Sequence, residues 1–204
     1  MMIIISSPSA IVNEAAIINA LFDEGMEVFH LRKPDATLNE LRQLLGNIKP
    51  IYYPRIALHQ YHHLVNCFNI NRLHFTEEKR KTINEETLAK LKERNYLLST
   101  SIHSLNAYES LSNCFNYTFF GPVFKSISKQ GYEASVDNNF VFPVKKGGAK
   151  AIALGGICIE NMQQAMIMKF NGIAALGAIW QQPDDSVKQF KNLQKAWNQI
   201  GPSY

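Results

Sequence analysis

His103 ends an apolar run lined with hydroxyls, Tyr96-Leu-Leu-Ser-Thr-Ser101-Ile-His103-Ser. An imidazole at such a place can exchange a proton with a substrate near neutral pH. Two other stretches hold residue types suited to chemistry. Phe120-Gly-Pro-Val-Phe-Lys-Ser126-Ile-Ser128-Lys129 sets two hydroxyls at alternate positions ahead of an ammonium, and all three can donate to phosphate or carboxylate oxygens. Leu154-Gly155-Gly156 and Leu176-Gly177 put glycines where backbone N–H groups can approach an anion unobstructed by a side chain. Bland readings stay open beside these: Ser/Lys loops are common solvated loops, and glycines also relieve crowding.

The runs before these groups are short, β-branched or aromatic, and stop at Gly or Ser, as buried parallel strands do. Strand-like runs recur at 2–6, 27–32, 55–59, 72–75, 96–101, 117–121, 149–154 and 172–176. Between them, 13–22, 38–45, 84–93, 104–112, 159–169 and 184–200 place apolar residues at three- and four-residue steps, as amphipathic helices do. Thr37-x-x-Glu40 has the capping-box form, and Asn84, Ser104 and Asp184 precede apolar periodicity. Segments 61–70 and 126–143 are the weakest helices by pattern, and the second reads as a substrate-covering loop with a short helix. Strand and helix alternate at roughly 25-residue intervals, which argues for a parallel sheet. Eight such units in 204 residues predict one domain, a small (β/α)8 TIM barrel whose chemistry lies at the carboxyl ends of the strands. The alternative, an open doubly wound sheet, lacks its glycine-rich first turn, since Ser6-Ser-Pro-Ser9 stands there.

Side-chain alternation gives Val28, His30 and Arg32 one face of the second strand, and Ser99, Ser101 and His103 one face of the fifth. If both faces point inward, His30, Arg32 and His103 converge near the barrel mouth. His30 reads equally as a satisfied core histidine.

Composition removes several function classes. The 21 basic and 17 acidic residues leave a net charge of +4, and the only clusters are Lys79-Arg-Lys81 and Lys145-Lys146. A nucleic-acid face needs a denser basic stripe, so the mild excess suits an anionic small molecule better. Cys67, Cys114 and Cys158 form no C-x-x-C pair and read as reduced thiols in or near the core. Met1-Met-Ile-Ile-Ile5 lacks the basic lead and cleavage site of a signal peptide and reads as a first buried strand. No apolar run approaches the ~20 residues that span a bilayer. A cytoplasmic location is the expectation.

As a set, these motifs resemble the thiamin phosphate synthase family, which also contains the thiazole tautomerases. His30-Leu-Arg-Lys stands where the family has Gln-Leu-Arg-Glu-Lys, Arg72-Leu-His-Phe where it has Gly-Val-His-Leu, and Ser101-Ile-His-Ser where it has Ser-Val-His-Ser. Gly121-Pro-Val-Phe-x-Ser-x-Ser-Lys129 is similar to Gly-Pro-Val-Phe-x-Thr-x-Thr-Lys, and Ala151-Ile-Ala-Leu-Gly-Gly-Ile157 to Pro-Val-x-Ala-Ile-Gly-Gly-Ile. The resemblance implies a (β/α)8 barrel that binds a thiazole phosphate, with the phosphate near Gly155, Gly156 and Gly177.

The departures bear on the reaction. The family's synthases join hydroxymethylpyrimidine diphosphate to the thiazole phosphate and release pyrophosphate, using Mg2+ held by two aspartates. By resemblance those positions are Gln60 and Lys79 here, and Pro34 takes the place of the diphosphate-binding lysine, with Lys33 one residue earlier. Magnesium needs anionic oxygens in near-octahedral array. Glu77 or Glu78 supplies a carboxylate only if the alignment slips. What survives resembles the tautomerase branch, which implies no metal and no cofactor. There His103 is the general acid/base, Arg32, Ser128 and Lys129 bind the substrate carboxylate, Ser101 and Ser126 line the same pocket, and His30 shapes it or relays a proton. A rearranged Mg2+-dependent synthase and a non-catalytic, ligand-binding or regulatory barrel are the alternatives. No nucleic-acid or membrane partner is expected, and a homo-oligomer is compatible with the sequence.

Overall fold

A computed structural model describes residues 1–125, 136–137, 139–143 and 145–201. The apolar runs become β1 (Met2–Ile5), β2 (Val28–Leu31), β3 (Ile56–Leu58), β4 (Arg72–Phe75), β5 (Leu97–Ile102), β6 (Tyr117–Phe120), β7 (Lys150–Leu154) and β8 (Gly172–Ala175). All pair in parallel with their neighbours in chain order, and β1 closes on β8 through Ile3 opposite Ala174. The barrel is therefore complete, as the alternation predicts.

The helices are α1 (Glu14–Asp23), α2 (Leu38–Gly46), α3 (Glu77–Thr82), α4 (Glu85–Glu93), α5 (Leu105–Glu109), α6 (Met162–Ile167), α7 (Gly177–Trp180) and α8 (Ser186–Ile200). The capping box at the start of α2 forms in full: Glu40 N donates to Thr37 Oγ1 at 3.3 Å, and Thr37 N to Glu40 Oε2 at 2.7 Å. Asn84 caps α4 and Ser104 caps α5, each accepting from the amide three residues on.

The differences from the pattern lie at helix ends. Helix α5 stops at Glu109, where the Ser110 hydroxyl turns back to Asn106 O. Helix α6 begins later than the expected 159 because Asn161 is spent on the preceding turn, accepting from Cys158 N and donating to Gly156 O. Asp184 lies in a 3-10 turn, Pro183–Asp185, and α8 starts only at Ser186. Segment 61–70 holds a 3-10 turn, His62–Asn66, rather than a helix. Helix α3 has no apolar face for periodicity to find. It is held by the Thr76 cap and by Glu77 pairing with Arg80 and Lys81. The Ser126 to Pro143 loop falls largely outside the described residues. All three cysteines are free, but Cys67 is exposed, not near the core, because it follows a surface turn. Among the described residues no helix is long and apolar enough to cross a membrane.

Outward strand residues such as Phe29, Leu31, Ile56 and Ile173 are buried with helix residues including Ile18, Leu41, Phe190 and Trp197. Burying side chains of this size stabilises by about 1.5–3 kcal/mol each. Inside the barrel Ile3, Ile5, Val28, Phe119, Ile152 and Ala174 form an apolar group. Other interior positions are polar: His30, His59, His74, Ser99 and Ser101 come from β2, β3, β4 and β5 or the residue just after them, and all are bonded to one another or to Tyr117. Barrel interiors are usually filled by branched apolar side chains.

Candidate active site

Phe75, Ile102 and Phe120 end three adjacent strands, so the residues that follow them share one sector of the barrel rim. His103, Gly121 and Glu77 meet there. His103 Nδ1 lies 2.6 Å from Gly121 O. A carbonyl only accepts, so Nδ1 carries the proton and the neutral ring presents its lone pair at Nε2. Nε2 stands 3.7 Å from Glu77 Oε2, while the ring itself is 61% exposed. Lys81, with His103 and Arg80 adding to it, holds the Glu77 carboxyl below the usual carboxylate range. The arrangement is that of an oriented base with a counter-charge, able to take a proton and return it.

Gly121 is fixed in this role by crowding. A Cβ on it would fall 2.2 Å from Leu154 O, so no larger residue can place a carbonyl here without moving β7. Gly155 and Gly156 follow β7 with φ of +97° and +64°, and a side chain on either would meet the backbone of Pro122, Phe124 or Lys125 at under 3 Å. Val123 N and Phe124 N donate to Leu154 O and Gly155 O, which binds the loop after β6 to the turn after β7. Crowding therefore accounts for both glycines in this structure. Gly177 opens α7, after the adjacent strand β8.

Beneath the rim, His30 is fully buried, and its ring nitrogens face His59 and Tyr117. Its Nδ1 is 2.9 Å from His59 Nε2 and its Nε2 2.7 Å from the Tyr117 hydroxyl. His74 lies between Ser99 and Ser101, with each hydroxyl 3.0 Å from one ring nitrogen. The His59 and His74 rings stack at 3.9 Å between centroids. Burial, reinforced by the neighbouring positive groups, pushes His30 and His59 well below the ordinary histidine value and His74 down to about 3. Arg32 is exposed at the mouth, close enough to contribute to the lowering of His59 and His74. Of the expected binding residues, then, Arg32 and His103 lie at the mouth, His30 and Ser101 belong to the network beneath it, and Ser126, Ser128 and Lys129 lie outside the described residues.

The loop after β2 is committed elsewhere. Lys33 Nζ pairs with Glu14 at 2.6 Å with both side chains buried, and it also donates to Ser9 O. The Gln60 amide donates to Lys33 O and, at 3.5 Å, to Ala36 O. Lys79 is exposed. A magnesium ion does not fit these residues: position 60 is a neutral amide donating to carbonyls, position 79 is a cation, and Glu77 is taken up by Lys81, Arg80 and His103.

Sequence reasoning missed Glu77 as the partner of His103, and it missed His59, His74 and Tyr117 altogether. A signal was present: three successive strand-like runs each carry a histidine near or just past the carboxyl end, at His30, His59 and His74.

Comparison with known proteins agrees with this architecture. The thiamine monophosphate synthase family matches residues 2–179. No curated protein matches the chain. Among solved structures, a thiamine phosphate pyrophosphorylase from Bacteroides thetaiotaomicron is similar at 25% identity and a TM-score of 0.72, over 97% of each chain. One from Pyrococcus furiosus reaches a TM-score of 0.75 at 16% identity, covering 98% of this chain and 96% of its own. A phosphoribosyl anthranilate isomerase from Thermus thermophilus shares the barrel alone, at 11% identity and a TM-score of 0.58, over 98% of this chain and 100% of its own.

Proposed function

The chain belongs to the thiamine monophosphate synthase family, and from that membership we propose that it is a metal-independent thiazole tautomerase of thiamin biosynthesis, a proton shuttle that aromatises a carboxythiazole phosphate. The observation that carries the reading is the His103 Nδ1 to Gly121 O hydrogen bond, which leaves Nε2 as the free proton acceptor beside Glu77. Nε2 takes the proton from one ring atom of the substrate and returns it to another, and Glu77 stabilises the imidazolium between the two steps. Arg32, Ser128 and Lys129 bind the substrate carboxylate, and the N–H groups around Gly155, Gly156 and Gly177 receive the phosphate. Further support comes from the other half of a synthase site: Lys33 is buried against Glu14, and Gln60 donates to backbone carbonyls.

A second reading, Mg2+-dependent condensation of a pyrimidine diphosphate with the thiazole phosphate, is favoured by the likeness to solved thiamine phosphate pyrophosphorylases. Incubating purified protein with carboxythiazole phosphate, with and without EDTA, separates the readings by NMR. Isomerisation unaffected by the chelator supports the tautomerase. Turnover only with pyrimidine diphosphate and Mg2+ supports the synthase. Binding without turnover in either assay makes the barrel a ligand-binding module.

A further inference from the structure

We propose that His30, His59 and His74 together hold one zinc ion, completed by an anionic oxygen ligand on the His59 side of the cluster. Each of the three offers a ring nitrogen, and these atoms all lie within 4.8 Å of one another, the one such convergence of His, Cys, Asp or Glu among the described residues. Zinc–nitrogen bonds of about 2.0–2.1 Å at tetrahedral angles place ligand nitrogens about 3.3 Å apart. His30 Nδ1 and His59 Nε2 stand at 2.9 Å, so they part slightly to admit an ion. His59 must also turn off the face of His74, a rotation about its terminal torsion that its partial exposure allows.

The surroundings have the form of a metal site's outer shell. A ligating histidine usually holds its second nitrogen on a polar group that fixes the ring. His30 Nε2 has the Tyr117 hydroxyl at 2.7 Å, and whichever nitrogen His74 gives up, Ser99 or Ser101 retains the other. His30 and His74 are buried and His59 is half-buried, so the cluster lies inside the barrel and not on its surface. An all-nitrogen set suits zinc over the hard magnesium ion. Arg32 and Arg72 are the charged groups whose influence reaches the cluster, and two guanidiniums near a dication call for a negative fourth ligand, hydroxide or a carboxylate. Entry is past His59, since His30 and His74 are sealed. The inference goes beyond the proton transfer at His103, which proceeds without the ion, and its test reads metal rather than turnover.

Chelator-stripped full-length protein should take up one equivalent of Zn2+ in calorimetry. His59→Gln should weaken that uptake at least a hundredfold, while His63→Ala, on the exposed turn beside it, should leave it unchanged. X-ray absorption on the zinc-loaded wild-type protein should show three imidazole nitrogens, which keeps the test decisive even if His59→Gln fails to fold. No uptake by the wild-type protein, equal uptake by wild type and His59→Gln, or a coordination shell without three imidazoles would overturn the proposal.

Discussion

His103 donates its Nδ1 proton to Gly121 O at 2.6 Å across the gap between the fifth and sixth strands. One hydrogen bond thus decides which nitrogen keeps the proton and which is left to accept, and a glycine that cannot carry a side chain supplies its carbonyl. His103→Gln should fold, bind the thiazole phosphate normally, and isomerise it at least about a hundredfold more slowly, the low end of a general acid/base contribution. Glu77→Gln should show a smaller loss in kcat with KM unchanged. Stopped-flow or NMR rates beside calorimetric affinities check both, and a near-wild-type rate in His103→Gln would leave the proposed reaction without its base.

Lys129→Ala should weaken binding of the carboxythiazole phosphate by about 1.5–3 kcal/mol, the range for a hydrogen bond to a charged group. Isothermal calorimetry measures this directly. An unchanged dissociation constant would mean that the ammonium stays in solvent.

Pyrimidine diphosphate with Mg2+ should bind weakly, with slow or absent thiamin phosphate formation. Restoring carboxylates through Gln60→Asp together with Lys79→Asp should not rescue condensation, because an aspartate at 60 would face Lys33 O and Lys33 remains on Glu14. Product formation followed by chromatography tests this, and efficient condensation by either protein would make the chain a synthase.

Lys33→Met should destabilise the fold by about 3–5 kcal/mol at neutral pH, since it leaves Glu14 buried without its partner. Burial already raises the Glu14 carboxyl above its ordinary value even against the pull of Lys33. With the folded-state value above the unfolded one, the penalty is full at neutral pH and fades as pH falls through the folded value toward that of the unfolded chain. Urea melts should therefore show the variant recovering part of its loss in mild acid. The double variant Lys33→Met with Glu14→Gln should lose less than Lys33→Met alone at neutral pH and lack its acid recovery.

The barrel was legible because buried parallel strands are short, apolar and evenly spaced, and the caps at Thr37, Asn84 and Ser104 are local enough to read from residue type. Helix α3 was not, since Glu77–Thr82 has no apolar face and is held by a cap and by charge pairs that periodicity does not register. The place of His103 at the barrel rim was legible from its position at a strand end. Its partners were not, because Gly121 acts through a carbonyl and Glu77 through a helix that was unforeseen. Lys33 illustrates the converse: it is buried against Glu14, and residue type alone does not tell a ligand-binding lysine from a buried structural one.

The mixture of apolar and hydrogen-bonded side chains inside the barrel has a consequence for how the protein can drift under mutation. Around Ile3, Ile5, Ile152 and Ala174 a substitution changes only volume, and neighbours can absorb it by repacking. Around His30, His74 and Tyr117 each side chain is the hydrogen-bond answer to another, so replacing any one orphans its partner where no solvent can compensate. Tolerance in a deep mutational library should follow hydrogen bonding rather than depth, with conservative hydrophobic exchanges surviving at Ile3, Ile5 and Ile152 and few exchanges surviving at His30, His74 and Tyr117.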